Sequence, residues 1–394
     1  EVEVAKRNVA VLAALQALLF TNNSTAIALN GLVGYALADN KALATLPVTG
    51  WVVGAALTTY LASMLMRRVG RRAGFTVGTC TGILGASIAC LAIYLAEFWL
   101  FCLGTTVFGV YNAFGQYYRF AAADAAPAEF KSRAISLVLA GGLVGGILGP
   151  TTSQWTKDLL PVAYLGAYLA LVVLLFVVLA VLRLLDIPVP SESVRKEPGR
   201  PLPQLMAQPA FIVAVMAGAF GYGIMNLLMT ATPLAMDLCG HPYGAAANVI
   251  SWHVIGMFAP SFFTGTLIRR FGVLNVLLAG VGAMLGCVAI ALSGVAVANF
   301  WFALLLLGIG WNFLYIGGTT LLTETYRPAE QAKAQGANDM LIFVTMALSS
   351  FSSGLLLEQN GWQMLNYLAI PFVLAVGIAV SWLMVLRRRT GPAL

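Results

Sequence analysis

The chain has 394 residues, of which 60% are hydrophobic and only 9% charged, and its formal net charge is +7. A soluble domain carries about 25% charged residues, so this composition excludes an ordinary water-soluble globule and makes lipid the solvent for most of the protein. The positive charge does not call for nucleic acid, because the basic residues stand in short loops between apolar runs, a pattern that orients membrane spans. The 5 cysteines, an odd number mostly inside apolar segments, imply no disulfide framework.

Lys6 and Arg7 precede an apolar run from Val9 to about Ala38. The run is too long for a signal peptide and carries Asn22, Asn23 and Asn30, so it predicts a first span kept in the mature protein. Asn22 and Asn23 either face a pathway or bond a neighbouring helix. Further spans are expected near Thr45 to Met66, Phe75 to Ala96, Phe98 to Ala122, Ser136 to Trp155 and Val162 to Leu185, each close to the roughly 20 apolar residues that a bilayer requires. Asp186 to Gln204, DIPVPSESVRKEPGRPLPQ, is polar and proline-rich, cannot span, and reads as a linker. Six more spans follow near Pro209 to Met236, Ala245 to Ile268, Val273 to Ser293, Phe300 to Leu322, Asp339 to Leu357 and Trp362 to Leu386. The expected architecture is an all-α integral membrane protein of twelve transmembrane helices. It has a six-helix bundle over residues 1–185, a linker over 186–208 and a second six-helix bundle over 209–394.

Basic residues set the orientation. Arg67, Arg68, Arg71 and Arg72 follow span two, Lys131 and Arg133 span four, Arg269 and Arg270 span eight, and Arg327 and Lys333 span ten. Arg195, Lys196 and Arg200 lie in the linker, and Arg387, Arg388 and Arg389 follow the last span. The opposite loops offer little beyond Lys41 and Lys157, so the positive-inside rule puts both termini and the linker in the cytoplasm.

The two halves repeat. RRVG at Arg67 to Gly70 is matched by RRFG at Arg269 to Gly272, and Pro127-Ala128-Glu129 by Pro328-Ala329-Glu330. Such a repeat marks a transporter whose halves enclose a midplane site. On these residues the chain resembles the major facilitator superfamily along its whole length. Arg67, Arg68, Gly70 and Arg71, with Arg269, Arg270 and Gly272, look like that superfamily's gating loops, although the usual acidic residue is replaced by Arg67 and Arg269. GGLVGGILGP, from Gly141 to Pro150, is similar to the Gly-Pro motif of its antiporters and is read here as packing. Arg119 is expected to pair with Asp124 or Glu129. Glu324 and Asp339 are candidates for proton coupling, with ion pairing near the interface as the plainer role.

The stretch from Met225 to Met257 holds both histidines of the chain. Met225 and Met229 are four apart, as are His253 and Met257, and a spacing of four puts two side chains on one helix face. Methionine pairs are ordinarily packing. Yet by helical rise Met229 and His253 lie about 10–12 Å below the outer end, and Met225 and Met257 about 16–18 Å. Thioether and imidazole together suit Cu(I), and a histidine inside a bilayer is by default a functional candidate. Met236, Cys239 and His241 are secondary metal candidates at the outer mouth, or simply loop residues.

Met225-x-x-x-Met229 followed by His253-x-x-x-Met257 resembles the paired motif of the CcoA copper importers, a bacterial branch of the superfamily. The resemblance implies copper uptake across the bacterial inner membrane, in support of haem–copper cytochrome c oxidase assembly. Copper would be the transported substrate, with no permanently bound cofactor, and the partners would be the metal ion and membrane lipid, with the protein acting as a monomer. A second reading is a carrier of small organic solutes or drugs, in which Trp252, Trp311, Tyr117 and Tyr118 line an aromatic cavity. A receptor or assembly factor would need a larger partner-binding loop than any present here. An enzyme is not expected, since the sequence shows no phosphate-binding GxxxxGK loop and neither histidine has a carboxylate at short spacing.

Overall fold

A computed structural model describes residues 2–40, 43–189 and 191–390. Lys41, one of the basic residues weighed for orientation, lies outside the described residues. The described residues are helical nearly throughout, and none is in a strand. The first six long elements are α1 (Val2–Leu37), α2 (Leu46–Val69), α3 (Arg71–Leu95), α4 (Phe98–Gly115), α5 (Tyr118–Ala125) and α6 (Lys131–Thr156), followed by α7 (Leu165–Leu182). Two short turns, α8 (Glu192–Lys196) and α9 (Leu202–Met206), lie in the linker. Then come α10 (Pro209–Leu238), α11 (Tyr243–Phe258), α12 (Ser261–Phe271), α13 (Val273–Ser293), α14 (Val297–Leu322) and α15 (Gln331–Thr390). Within α15, Gly361 at φ 76° and ψ 172° breaks the helix in two.

Among the described residues ten helices are long and apolar enough to cross a membrane, and a bent pair, Gly244–Phe258 with Ser261–Phe271, makes eleven. The remaining expected span falls in the part of α15 before Gly361, which is helical but carries Asn338 and Asp339. Large apolar side chains such as Leu57, Leu61, Val173, Phe351 and Ile378 are exposed, as lipid-facing positions require.

Two compact units emerge. The first is Glu1–Ala128, Leu137–Pro198 and Gln335–Met340, and the second Glu129–Ser136, Gly199–Ala334 and Leu341–Leu394. Inside the first unit the Gly-Pro motif packs α6 against α1. A Cβ at Gly145 would stand 2.6 Å from the Ala17 carbonyl oxygen, and Thr25 Oγ1 donates to the Gly149 carbonyl at 2.9 Å. Small residues here serve close backbone approach.

The expected span over Ala245 to Ile268 is not straight. It bends by 41° between α11 and α12, at Ala259 and Pro260, because proline cannot continue the backbone ladder. Asn312 of α14 compensates: its Nδ2 donates to the Met257 carbonyl at 2.6 Å and to Ser261 Oγ at 2.6 Å, and its Oδ1 accepts from Thr264 Oγ1 at 2.7 Å.

The paired glycines of the repeated loops have a backbone cause. Gly70 sits at φ 88°, ψ 166° between α2 and α3, and Gly272 at φ 87°, ψ 150° between α12 and α13. Both lie in a region reserved for glycine. The residue that follows differs: Arg71 in the first loop, Val273 in the second.

The linker is anchored at its far end. Arg200 Nε and Nη2 donate to Glu330 Oε1 and Oε2, each at 2.7 Å, the Arg200 and Arg327 amides each donate to Glu330 at 2.9 Å, and Arg200 Nη2 also donates to the Thr325 carbonyl at 3.0 Å. Glu330 is completely buried. Hydrogen bonds from Arg200 hold its carboxyl down at about 2, against an ordinary 4.5, with the Arg327 amide assisting. The identical triplet of the first half behaves differently, for Glu129 is exposed.

Gly272→Ala should destabilise the protein by about 1–3 kcal/mol through backbone strain alone, since a Cβ there meets nothing within 4 Å. Gly282→Ala, in a helix and equally uncrowded, should be neutral or stabilising, and thermal unfolding in detergent separates the two. Glu330→Gln should cost about 2 kcal/mol at neutral pH through lost charge-assisted hydrogen bonds. Because the folded carboxyl is depressed, its stabilisation is complete above pH 4.5 and is lost as pH falls from there towards 2. The gap in melting temperature between wild type and Glu330→Gln should therefore close over that acid window.

Candidate functional site

Three groups of buried side chains carry chemistry. The first is the soft-ligand set. Met225 of α10 and Met257 of α11 are buried and Met229 is half-buried, while His253 has no exposed surface. His253 Nδ1 lies 2.7 Å from the Leu304 carbonyl oxygen of α14. A carbonyl only accepts, so Nδ1 donates, and in the neutral ring Nε2 carries the lone pair. Nε2 has no hydrogen-bond partner among the described residues. α14 packs extensively against both α10 and α11, which touch each other far less. The histidine ring is thus bonded onto α14. Of the secondary candidates, Met236 is wholly buried within α10, whereas Cys239 is exposed at the end of that helix. His241 Nε2 lies 2.7 Å from the Val295 carbonyl oxygen. Among the described residues no three or more His, Cys, Asp or Glu side chains gather in a way that could hold a metal ion.

The second group is charged and lies in the first unit. Arg119 Nη2 meets Asp339 Oδ1 at 2.5 Å, and the two side chains are 1% and 3% exposed. Arg71 Nη2 meets Asp124 Oδ2 at 2.7 Å and Gln335 Oε1 at 2.5 Å. The expected pairing of Arg119 with Asp124 or Glu129 is therefore corrected: Asp124 belongs to Arg71, and Arg119 reaches a carboxylate 220 residues away. Glu324 pairs at the surface with Arg387 at 2.7 Å, with both side chains more than 40% exposed. Among the other gating-loop residues, Arg67 donates to the Glu197 carbonyl at 2.8 Å, and Arg68, Arg269 and Arg270 are exposed.

The third group is neutral. In the second unit Trp311 and Tyr315 of α14 stack at 4.9 Å and 17°, Tyr222 of α10 stands edge-on to both at 5.4 Å, and Phe258 closes on Trp311 at 5.6 Å. Trp311 is 1% exposed, and its Nε1–H has no partner among the described residues. In the first unit Asn23 Nδ2 and Gln116 Nε2 both donate to Asn112 Oδ1, at 2.7 and 3.0 Å, which joins α1 to α4. Of the aromatic residues named from sequence, only Trp311 joins this ring cluster. Trp252 is 40% exposed and pairs with Trp301, while Tyr117 and Tyr118 are core residues, with the Tyr117 hydroxyl donating to the Thr59 carbonyl at 2.7 Å. The Trp311–Tyr315 spacing of four was a readable signal. Tyr222, from another helix, was not.

The profile of the Major Facilitator Superfamily matches residues 10–325 and 243–394. This chain belongs to that superfamily. It is a multi-pass membrane transporter and not an enzyme. It is 45% identical over 379 residues to the riboflavin transporter RfnT of Brucella anthropi, covering 94% of each chain. It is also 27% identical over 365 residues to YdeG of Bacillus subtilis, described as an uncharacterized MFS-type transporter, with 88% of this chain and 84% of that one aligned. Among solved structures, the transporter FucP in its outward conformation superposes with a TM-score of 0.78 at 16% identity, over 95% of this chain and 98% of that one. The superfamily expectation thus holds. The narrower copper expectation does not find its counterpart here, since the 45% identical relative bears the name of a vitamin transporter, which accords with the organic-solute reading.

Proposed function

We propose that this protein imports a planar heteroaromatic solute of riboflavin's chemical class across the bacterial inner membrane, with both termini in the cytoplasm. The observation that carries the reading is the 45% identity to a riboflavin transporter across 94% of both chains. The side chains agree with it chemically. The rings of Trp311, Tyr315 and Tyr222 offer π-faces and edges to a flat ring system, and the unpaired indole N–H of Trp311 is a donor for a ring nitrogen or carbonyl. The amides of Asn23, Asn112 and Gln116 are the donors and acceptors that a hydroxylated side chain takes.

Copper import retains one supporting observation, the free Nε2 of the buried His253. In the organic-solute reading Met225, Met229, His253 and Met257 serve packing between helices.

The test is growth of a riboflavin-auxotrophic bacterium, devoid of its own carrier, on limiting riboflavin while expressing this protein. Growth is expected for the wild type and for the His253→Ala, Met257→Ala double variant at matched membrane levels. Tyr222→Leu and Trp311→Phe should each weaken uptake about tenfold, the loss of one stacking or hydrogen-bond contact of about 1.4 kcal/mol. Failure of the wild type to support growth, together with copper accumulation that depends on His253, would reverse the assignment.

A further inference from the structure

The two acidic residues that the sequence offers for coupling part ways in the structure. Glu324 is a surface residue paired with Arg387, and water can screen it. Asp339 is buried against Arg119. We propose that Asp339 is the proton-carrying group of this transporter: it binds a proton on Oδ2 when its contact with Arg119 opens, and releases it when the contact re-forms. The inference rests on the chain being a transporter and not on the identity of its solute.

The contacts of the carboxylate are lopsided. Arg119 Nη2 at 2.5 Å and Asn338 Nδ2 at 2.9 Å both fall on Oδ1, while Oδ2 has no hydrogen-bond partner among the described residues. Arg119 is differently placed. Its Nη1 also donates to the Gln116 carbonyl, and its guanidinium lies 4.3 Å from the centre of the Phe120 ring, so it keeps neighbours without Asp339. The other titratable groups around Asp339 are engaged. Arg71 of α3 is bound to Asp124 of α5 and to Gln335, and the Tyr117 hydroxyl donates to the Thr59 carbonyl of α2. None of these replaces Arg119 as the direct charge partner of Asp339.

A carboxylate deprived of its guanidinium in a site 3% exposed would be an uncompensated buried charge, and such a charge is eliminated by protonation. The step balances simply. On opening, a hydronium ion from the aqueous phase supplies the proton, an O–H bond forms at Oδ2, and the group becomes neutral. When Arg119 returns, the O–H bond breaks, the proton leaves to water, and the ion pair is restored. Conformational change at this contact and movement of one proton are then the same event.

Infrared difference spectra of the purified protein in lipid, recorded through a pH titration, read the group without any solute. A carbonyl band of a protonated carboxyl is expected to grow as pH falls, to disappear in Asp339→Asn and to return at a shifted position in Asp339→Glu. Should Asp339→Asn fail to reach the membrane, the neutral pair Arg119→Gln, Asp339→Asn replaces it, since a buried ion pair can be exchanged for neutral groups of similar shape. In proteoliposomes a pH gradient should drive solute accumulation in the wild type, and that drive should be lost in the same variant. A titration without a band dependent on Asp339, or gradient-driven accumulation that survives its removal, overturns the proposal. Riboflavin exchange at equal pH tests the solute separately. Its failure beside an Asp339-dependent band removes riboflavin and leaves the proton role standing.

Discussion

Lipid supplies neither hydrogen bonds nor screening, so each polar group inside this protein must find its partner within the chain. The rest of the structure answers to that constraint. The carbonyl of Met257, beside the bend at Pro260, is met by Asn312 from another helix. The carbonyl of Gly149, just before Pro150, is met by Thr25. The guanidinium of Arg119, almost without exposure, is met by Asp339. In each case the compensating residue is polar, buried, and distant in sequence from the group it satisfies.

The same constraint separates structure from function. Groups whose valences are filled hold the helices together, as the Asn312 network and the Arg200–Glu330 clasp do. Groups left with a free valence in a buried place are where chemistry can occur, namely Trp311 Nε1, His253 Nε2 and Asp339 Oδ2. The first of these lies among stacked rings, which accords with a flat organic solute. The third carries charge, which accords with a proton. The second is bonded through its other nitrogen to α14, and nothing anionic joins it in a metal-holding cluster among the described residues.

Much of this was legible in the sequence because hydrophobic length is a one-dimensional property. Span positions, the linker and the repeated RRVG and RRFG loops could be read directly, and the positive φ of Gly70 and Gly272 accounts for why glycine stands in both. The bend at Pro260 was signalled by the proline, yet the run of apolar residues on both sides of it gave one continuous span. Depth could be computed from helical rise, and it aligned His253 with Met229, but rise says nothing about azimuth. Which neighbour a helix face meets depends on packing, and here His253 meets Leu304 of α14. The partner of Arg119 was out of reach for the same reason, because Asp339 is far along the chain while Asp124 and Glu129 are near. The linker, read as having little to bury, in fact buries Leu205 and binds Glu330 through Arg200.

The central claim is that aromatic side chains, and not the methionine and histidine pairs, recognise the cargo. It is tested most directly by titrating the purified transporter in lipid with riboflavin, whose fluorescence is quenched when it stacks on tryptophan or tyrosine, and in parallel with Cu(I). Saturable quenching that persists in the His253→Ala, Met257→Ala variant and weakens in Tyr222→Leu is the predicted result. Tight, stoichiometric Cu(I) binding that vanishes in the histidine–methionine variant, with no flavin quenching in any form of the protein, would contradict the account.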